Sequence, residues 1–381
     1  MGIAIDRERL AHTFMRLCEI DSPSRSEAAL AAHLREILLE LGATVIIEDE
    51  SATMTGANCG NLLIRFPGTD PGGESLFFAC HMDTVQPGVG VEVLREDDLF
   101  TSRGETILGG DDKSGIAALI ELIRVLREEQ AGHGPIELLM TTCEEIGLLG
   151  AKGFDCSQVR ASYGYALDST GIDRVIVGAP AANKLKVQIH GIAAHAGLNP
   201  EQGISALCLA AKAIAELRLG RLDDQSTANF GLIQGGVATN IIPDLISLEG
   251  EVRSHSPEKL AAYTKEIEDV FDQVVSGWSH GNGGSSTKPS LEFSAESEYP
   301  AMRLAESDPV LARLRRAGEL LDRELDFRVA GGGSDANIFN SHGLPTAIIA
   351  TGMTKVHTTD ECLALDDLVS LTELIHAIVV Q

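Results

Sequence analysis

The sequence predicts an α/β domain with a mostly parallel central sheet, interrupted by an inserted ferredoxin-like α+β domain. Three observations predict it. Short β-rich runs alternate with helical periodicity in the first half of the chain and again near its end. Several of those runs are apolar on both faces, as covered parallel strands are. Between about Ala181 and Glu296 the texture changes to half-exposed alternation. The expected division is residues 1–180 and 297–381 for the α/β domain and 181–296 for the insertion, within the range set by a length of 381 residues.

The elements follow in order. Leu10, Phe14 and Leu17 recur at helical spacing after Asp6. Ser24 followed by Glu27 predicts a capping box for a helix running to Leu41, with Gly42 closing it. Strands are expected over 44–47, 62–66 and 75–80, a helix over 115–129, and strands over 136–142 and 163–167. In the insertion, a strand over 185–190 precedes a helix over 204–217, strands over 230–233 and 245–253, and a helix over 256–275. Ser256, Pro257 and Glu258 start that last helix. Glycines and serines make 276–290 an exposed loop, and 291–294 a final short strand. The β-α-β-β-α-β order is that of a ferredoxin-like unit. A helix over 311–321, a strand over 346–350 and a helix over 366–380 return to the α/β domain.

Composition excludes several classes. The chain carries 30 Lys+Arg against 56 Asp+Glu, a net charge of −26. So acidic a surface repels phosphate backbones, which argues against nucleic acid and anionic membrane as partners. No apolar run reaches the ~18–20 residues that span a bilayer. Residues 1–10 hold Asp6, Arg7, Glu8 and Arg9 and do not read as a signal peptide. Seven cysteines without CxxC spacing predict free thiols in a reducing, cytoplasmic setting.

The chemistry-bearing residues fall at predicted strand ends. His81 and Asp83 follow the strand over 75–80; two apart in extended chain, they project to one side. A metal-ligating imidazole usually gives its other N–H to a carboxylate, so the pair suits a ligand and its orienter, although a polar turn also looks like this. Asp111 and Asp112 stand in Leu108-Gly109-Gly110-Asp111-Asp112-Lys113-Ser114-Gly115 before a helix. One Asp suffices for an N-cap, and a second invites a cation. Glu144 and Glu145 follow the strand over 136–142; in extended chain one would face a metal and the other a reacting water. Asp168 follows the strand over 163–167, where an Asx turn is the alternative. His357 stands in a polar loop. Together these two histidines, two aspartates and one glutamate suit zinc, cobalt or manganese and not calcium.

The order His-x-Asp, Gly-x-Asp-Asp-Lys-x-Gly, Glu-Glu, Asp and a C-terminal His resembles the two-zinc peptidase and deacylase superfamily. That group includes peptidase T, carboxypeptidase G, acetylornithine deacetylase and succinyl-diaminopimelate desuccinylase. The nearest likeness is to its peptidase T-like members, carried by His81-Met82-Asp83-Thr84-Val85, by residues 106–115 and by His357-Thr358-Thr359-Asp360-Glu361. The resemblance implies two divalent metal ions, with His81 and Asp168 on one, Glu145 and His357 on the other, and Asp111 bridging. It implies Glu144 as general base, Asp83 as orienter of His81, and a cis peptide between Asp111 and Asp112. It implies that the insertion is a lid and the contact of a homodimer, with His195 polarising the scissile carbonyl. It further implies substrate contacts from Asn240, Arg253, Gly333 and Ser334; a surface ion pair is the other reading of Arg253, and a turn capped by Ser334 the other reading of that loop. The activity implied is removal of the N-terminal residue from short peptides, tripeptides above all. The alternative on the same scaffold is an N-acyl amino-acid deacylase or a carboxypeptidase.

Overall fold

The structure is a computed structural model that describes residues 4–279 and 288–381. The chain divides into two compact units, one through Ala179 and resuming at Met302, the other Pro180–Ala301. The return comes at Met302, not at 297, because the strand Ser290–Tyr299 runs as one piece and cannot be cut at residue 296.

The first unit is built on a mixed sheet. Its strands lie in the order Val45–Glu48, Leu62–Phe66, Ile136–Thr141, Leu76–His81, Gly164–Ser169, Thr346–Ala350, Arg174–Ala179, Met302–Arg303. The four strands from Ile136–Thr141 to Thr346–Ala350 are mutually parallel. Leu62–Phe66 and Arg174–Ala179 flank them antiparallel. The expected parallel sheet is therefore the centre of a wider mixed one. Its two faces are both covered, which is why the central strands read as continuous apolar runs. Phe78, Cys80, Leu138, Met140 and Tyr165 enter one core with the helices Arg7–Cys18, Gly110–Glu129 and Leu365–Val379. On the opposite face Phe77 meets Phe339 of the helix Asp335–Ser341 edge-on, at 5.9 Å.

Two local expectations fail. Glu27 caps nothing with its side chain; the helix Ala28–Glu40 takes its cap from Asn58, whose Oδ1 accepts the N–H of Ala28 at 2.9 Å. Ser24 and Glu27 are drawn elsewhere, as described below. The strands Val93–Glu96 and Leu99–Ser102 also escaped the sequence reading, because each is four residues long and only half buried.

The second unit is an antiparallel sheet in the order Gly220–Arg221, Ser226–Gly235, Leu245–Ser254, Ala181–His190, Ser290–Tyr299. With the helices Ala206–Glu216 and Pro257–Ser276 on one face it has the ferredoxin-like order. Leu185, Val187 and Ile189 point to the helices, and Phe230 meets Phe271 edge to face at 5.6 Å. Lys184, Lys186 and Gln188 alternate with them onto the open face. The loop expected over 276–290 lies outside the described residues from 280 to 287, as do residues 1–3.

Candidate metal centre

Five chain segments converge at the carboxyl ends of the four parallel strands, where sites in open α/β sheets are found. The strand Leu76–His81 delivers His81, 2% exposed. The helix Gly110–Glu129 opens with Asp111 and Asp112, whose φ/ψ are not helical and whose shared peptide bond is cis. Ile136–Thr141 leads to Glu144 and Glu145, Gly164–Ser169 carries Asp168, and the loop after Thr346–Ala350 carries His357.

The five residues expected to hold metal come together. His81 Nε2 lies 3.1 Å from Asp111 Oδ1 and 4.0 Å from Asp168 Oδ1. His357 Nε2 lies 3.2 Å from Asp111 Oδ2 and 3.1 Å from Glu145 Oε1. Asp111 thus faces one imidazole with each oxygen. Among the described residues, His81, Asp111 and Glu145 alone place ligand atoms within 4.8 Å of one another, and Asp168 and His357 flank them.

The electrostatics are those of a cation site. Burial pushes the carboxyl pKa of Glu144 well up, and Asp168 adds to it; burial and then Asp111 do the same to Asp168. Burial also works on Asp111, but His357 and His81 hold it below the usual carboxylate range. Asp111 and Glu145 raise His357 to about 10, against burial. Glu145 Oε1 is buried and, despite His357 at 3.1 Å, has no hydrogen bond of good geometry. A divalent cation would satisfy that oxygen and relieve the crowding of carboxylates. Two imidazoles and three carboxylates are a donor set zinc, cobalt or manganese accepts.

The orienting contacts differ from the expectation in two ways. His81 Nδ1 meets the backbone carbonyl of Asp83 at 2.9 Å, while the Asp83 carboxylate is 3.6 Å away. That carboxylate instead accepts the N–H of Glu144 at 2.9 Å, the N–H of Glu145 at 3.3 Å and the hydroxyl of Ser24 at 2.6 Å. Asp83 therefore holds His81 through its carbonyl and the Glu144–Glu145 turn through its side chain. Second, that pair is not extended. Cys143 has φ of 54°, and Glu144 O accepts the N–H of Leu148 at 2.7 Å. The left-handed residue ends the pleat, so a turn gives the two glutamates their different surroundings. Glu27 anchors the turn from below, its Oε1 accepting the Cys143 N–H at 3.0 Å. The glycines of residues 109–115 do not all supply special angles. Gly109 does, at φ 77°, but Gly115 is there for space: a Cβ would meet Asp112 Oδ1 at 2.6 Å and Cys80 Sγ at 2.8 Å.

The substrate-side residues fare unevenly. Ser334 is the N-cap of Asp335–Ser341, its hydroxyl accepting from Ala336 and its N–H given to Asn337 Oδ1 at 3.0 Å. Its backbone donor is spent within the helix cap, while Gly331 of that loop is exposed and Gly332 and Gly333 stay partly exposed. Its neighbour Asp335 carried no expectation. It is buried, one oxygen accepting Thr141 Oγ1 at 2.5 Å and the other unpartnered, beside a cavity of about 10 Å³ lined by His81 and Asp168. Burial raises its pKa to about 6. Its signal in the sequence is an aspartate directly after the run Gly331-Gly332-Gly333-Ser334.

In the second unit, His195 and Asn240 are neighbours. His195 bridges to Ile241, and Asn240 O accepts the N–H of Ala196 at 2.9 Å. Arg253 is not with them. It stands eight residues along the strand from Leu245, roughly 26 Å at the usual rise, with its guanidinium against Glu251 at 2.9 Å. The ion-pair reading of Arg253 is the one the structure contains.

Comparison with known proteins adds the following. Residues 77–381 match the model of Peptidase family M20/M25/M40. The Bacillus subtilis (strain 168) uncharacterized protein YqjE is 39% identical over 376 residues, 98% of each chain. The structure of aminopeptidase PepT from Bacillus cereus ATCC 10987 matches with a TM-score of 0.87 at 39% identity, over 98% of both chains. That of a tripeptidase from Staphylococcus aureus matches with a TM-score of 0.91 at 35% identity, over 99% of this chain and 98% of the other.

Proposed function

The chain belongs to Peptidase family M20/M25/M40, and from that premise we propose that it is a two-metal aminopeptidase that removes the N-terminal residue from tripeptides. One observation carries this reading: two imidazoles and three carboxylates meet at the strand ends with Asp111 between them. The aminopeptidase PepT and the tripeptidase, both above 30% identity, support the substrate class.

His81, Asp111, Glu145, Asp168 and His357 would hold two divalent ions, zinc foremost and cobalt or manganese as alternatives. When bound, such a pair supplies Lewis acidity, acidifying a water and polarising a carbonyl. The chain's own residues do the rest. Glu144 takes a proton as water oxygen bonds to the scissile carbonyl carbon, and gives it to the amine nitrogen as the C–N bond breaks. Asp83 keeps Glu144 and Glu145 in their turn through their backbone N–H groups. His195 would donate to the developing oxyanion. Its Nδ1 accepts the N–H of Gly197 at 3.2 Å, so the neutral ring carries its proton on Nε2, the nitrogen free to donate. Asn240 and Gly333 would contact substrate polar groups.

The inserted unit would serve as lid and as homodimer contact. Among the described residues, the outer edge of its strand Ser226–Gly235 is paired at its start, at Thr227 and Ala228, and farther along Leu232 and Ile233 are 56% and 59% exposed. No helix among the described residues is long and apolar enough to cross a membrane, and a cytoplasmic setting fits the unpaired cysteines.

The test is a matched substrate set given to the metal-loaded protein: free dipeptides and tripeptides, their N-acetylated forms, and N-acyl amino acids. Cleavage of free tripeptides, with blocked forms left intact, is expected. Cleavage of blocked substrates alone would replace this reading with the deacylase or carboxypeptidase one.

A further inference from the structure

Glu361 stands four residues after His357, in the part of the chain that follows the insertion. It is 1% exposed. Its carboxylate accepts three backbone N–H groups from the loop that ends in the paired aspartates. Oε2 takes those of Leu108 at 2.9 Å and Gly109 at 2.8 Å, and Oε1 takes that of Asp111 at 3.1 Å. Hydrogen bonds to an ionised acceptor are the strong ones, and they offset part of the cost of burying the charge.

The arrangement does more than satisfy a buried carboxylate. Backbone N–H groups are donors whose direction is the direction of the chain. An acceptor that takes three of them within four residues fixes the path of the loop, and with it where the Asp111 side chain starts. The fit around it is close, since a Cβ on Gly110 would lie 3.1 Å from Oε1. Glu361 and His357 belong to one short loop, and His357 Nε2 faces Asp111 Oδ2 at 3.2 Å. One carboxylate therefore ties two segments that are far apart in sequence, each bringing one partner of that contact.

We propose that Glu361 is a positioning residue of the metal centre: by gripping the N–H groups of residues 108–111 it fixes Asp111 against His357. The proposal rests on reading the cluster as a metal site. Glu361 reaches neither substrate nor metal in this role; it acts through the backbone of a ligand.

The experiment compares the parent chain with Glu361→Gln and Gly110→Ala. Glutamine keeps the size but turns an amide donor toward N–H groups; alanine leaves the carboxylate in place and crowds it. Each protein is stripped with a chelator, then titrated with Zn²⁺ against a chromophoric competitor, and its unfolding midpoint is measured with and without Zn²⁺. Zinc affinity is expected to fall about 10–100-fold in Glu361→Gln, the usual effect of removing a partner one step behind a ligand, and less in Gly110→Ala. The zinc-induced rise in midpoint shrinks in the same order. If both variants bind zinc like the parent and only the stripped midpoint drops, Glu361 is merely structural and the proposal is overturned. If Glu361→Gln does not fold, Gly110→Ala decides, and parent-like affinity overturns the proposal. A parent that takes up no zinc overturns the metal reading and this inference together; a parent that binds while the variants match it overturns this inference alone.

Discussion

The two sheets of the molecule handle polar residues in opposite ways. The central strands of the mixed sheet are buried on both faces, so the burial pattern of Leu76–His81 and of Ile136–Thr141 is unbroken. Apart from Glu137, whose buried carboxylate pairs with Arg65 at 2.8 Å, the chemistry-bearing side chains on them concentrate at the carboxyl ends. The antiparallel sheet of the inserted unit is covered on one face only. Its open face carries Lys184, Lys186, Glu249, Glu251, Glu292 and Glu296 along the strands, with Lys184 3.4 Å from Glu249 and His190 3.3 Å from Glu292. In the first sheet a carboxylate at a strand end is exceptional and needs a reason. In the second a charged side chain is the ordinary occupant of every other position.

That contrast ranks the expected effects of substitution. The largest belongs to the covered sheet. Glu144→Gln removes the proposed proton carrier while leaving the five ligand candidates intact, and turnover should drop by ~10²–10⁴-fold with metal content unchanged. Steady-state kinetics alongside elemental analysis checks it; parent-like kcat in a metal-replete variant removes Glu144 from its role. Next comes His195, beyond the end of the strand Ala181–His190 of the open sheet. His195→Ala should lower kcat by ~10²-fold or more through loss of one oxyanion donor, with thermal stability and metal content unchanged. An unaltered kcat would make His195 another surface residue and remove the proposed link between the inserted unit and the chemistry. The smallest effect is expected at Arg253. Arg253→Ala breaks a partly exposed pair with Glu251, worth about 0–1 kcal/mol, and should leave KM for tripeptides within about twofold. A tenfold rise in KM would sharpen the comparison differently, by showing that one residue of that face is held ready for a carboxylate.

The same contrast explains what was legible in the sequence. The strands Leu62–Phe66 and Thr346–Ala350 have the bounds that their apolar runs predict, because burial on both sides leaves sharp ends. His81, Asp111, Glu145, Asp168 and His357 stood out for that reason, and the chain brings them within hydrogen-bond range of one another or close to it. The supporting contacts were not legible. Ser24 and Glu27 have the spacing of a capping box, yet tertiary partners outbid the local ones: Asp83 for Ser24, and Cys143 N–H for Glu27. Glu361 and Asp335 look like ordinary loop acids in sequence, and only the fold reveals that both are buried. Arg253 sits in a sequence context that suits substrate recognition, but two residues earlier stands its partner Glu251, on the same face by the twofold period of the strand.

The central claim is that the strand-end cluster is a two-metal centre that drives peptide hydrolysis. Its most direct test is turnover of a free tripeptide by chelator-stripped protein as Zn²⁺ is added back in measured equivalents. No activity is expected without metal, and with metal a rise that levels off at two equivalents per chain. Full turnover by the stripped protein, or a plateau that does not depend on the zinc added, would contradict it.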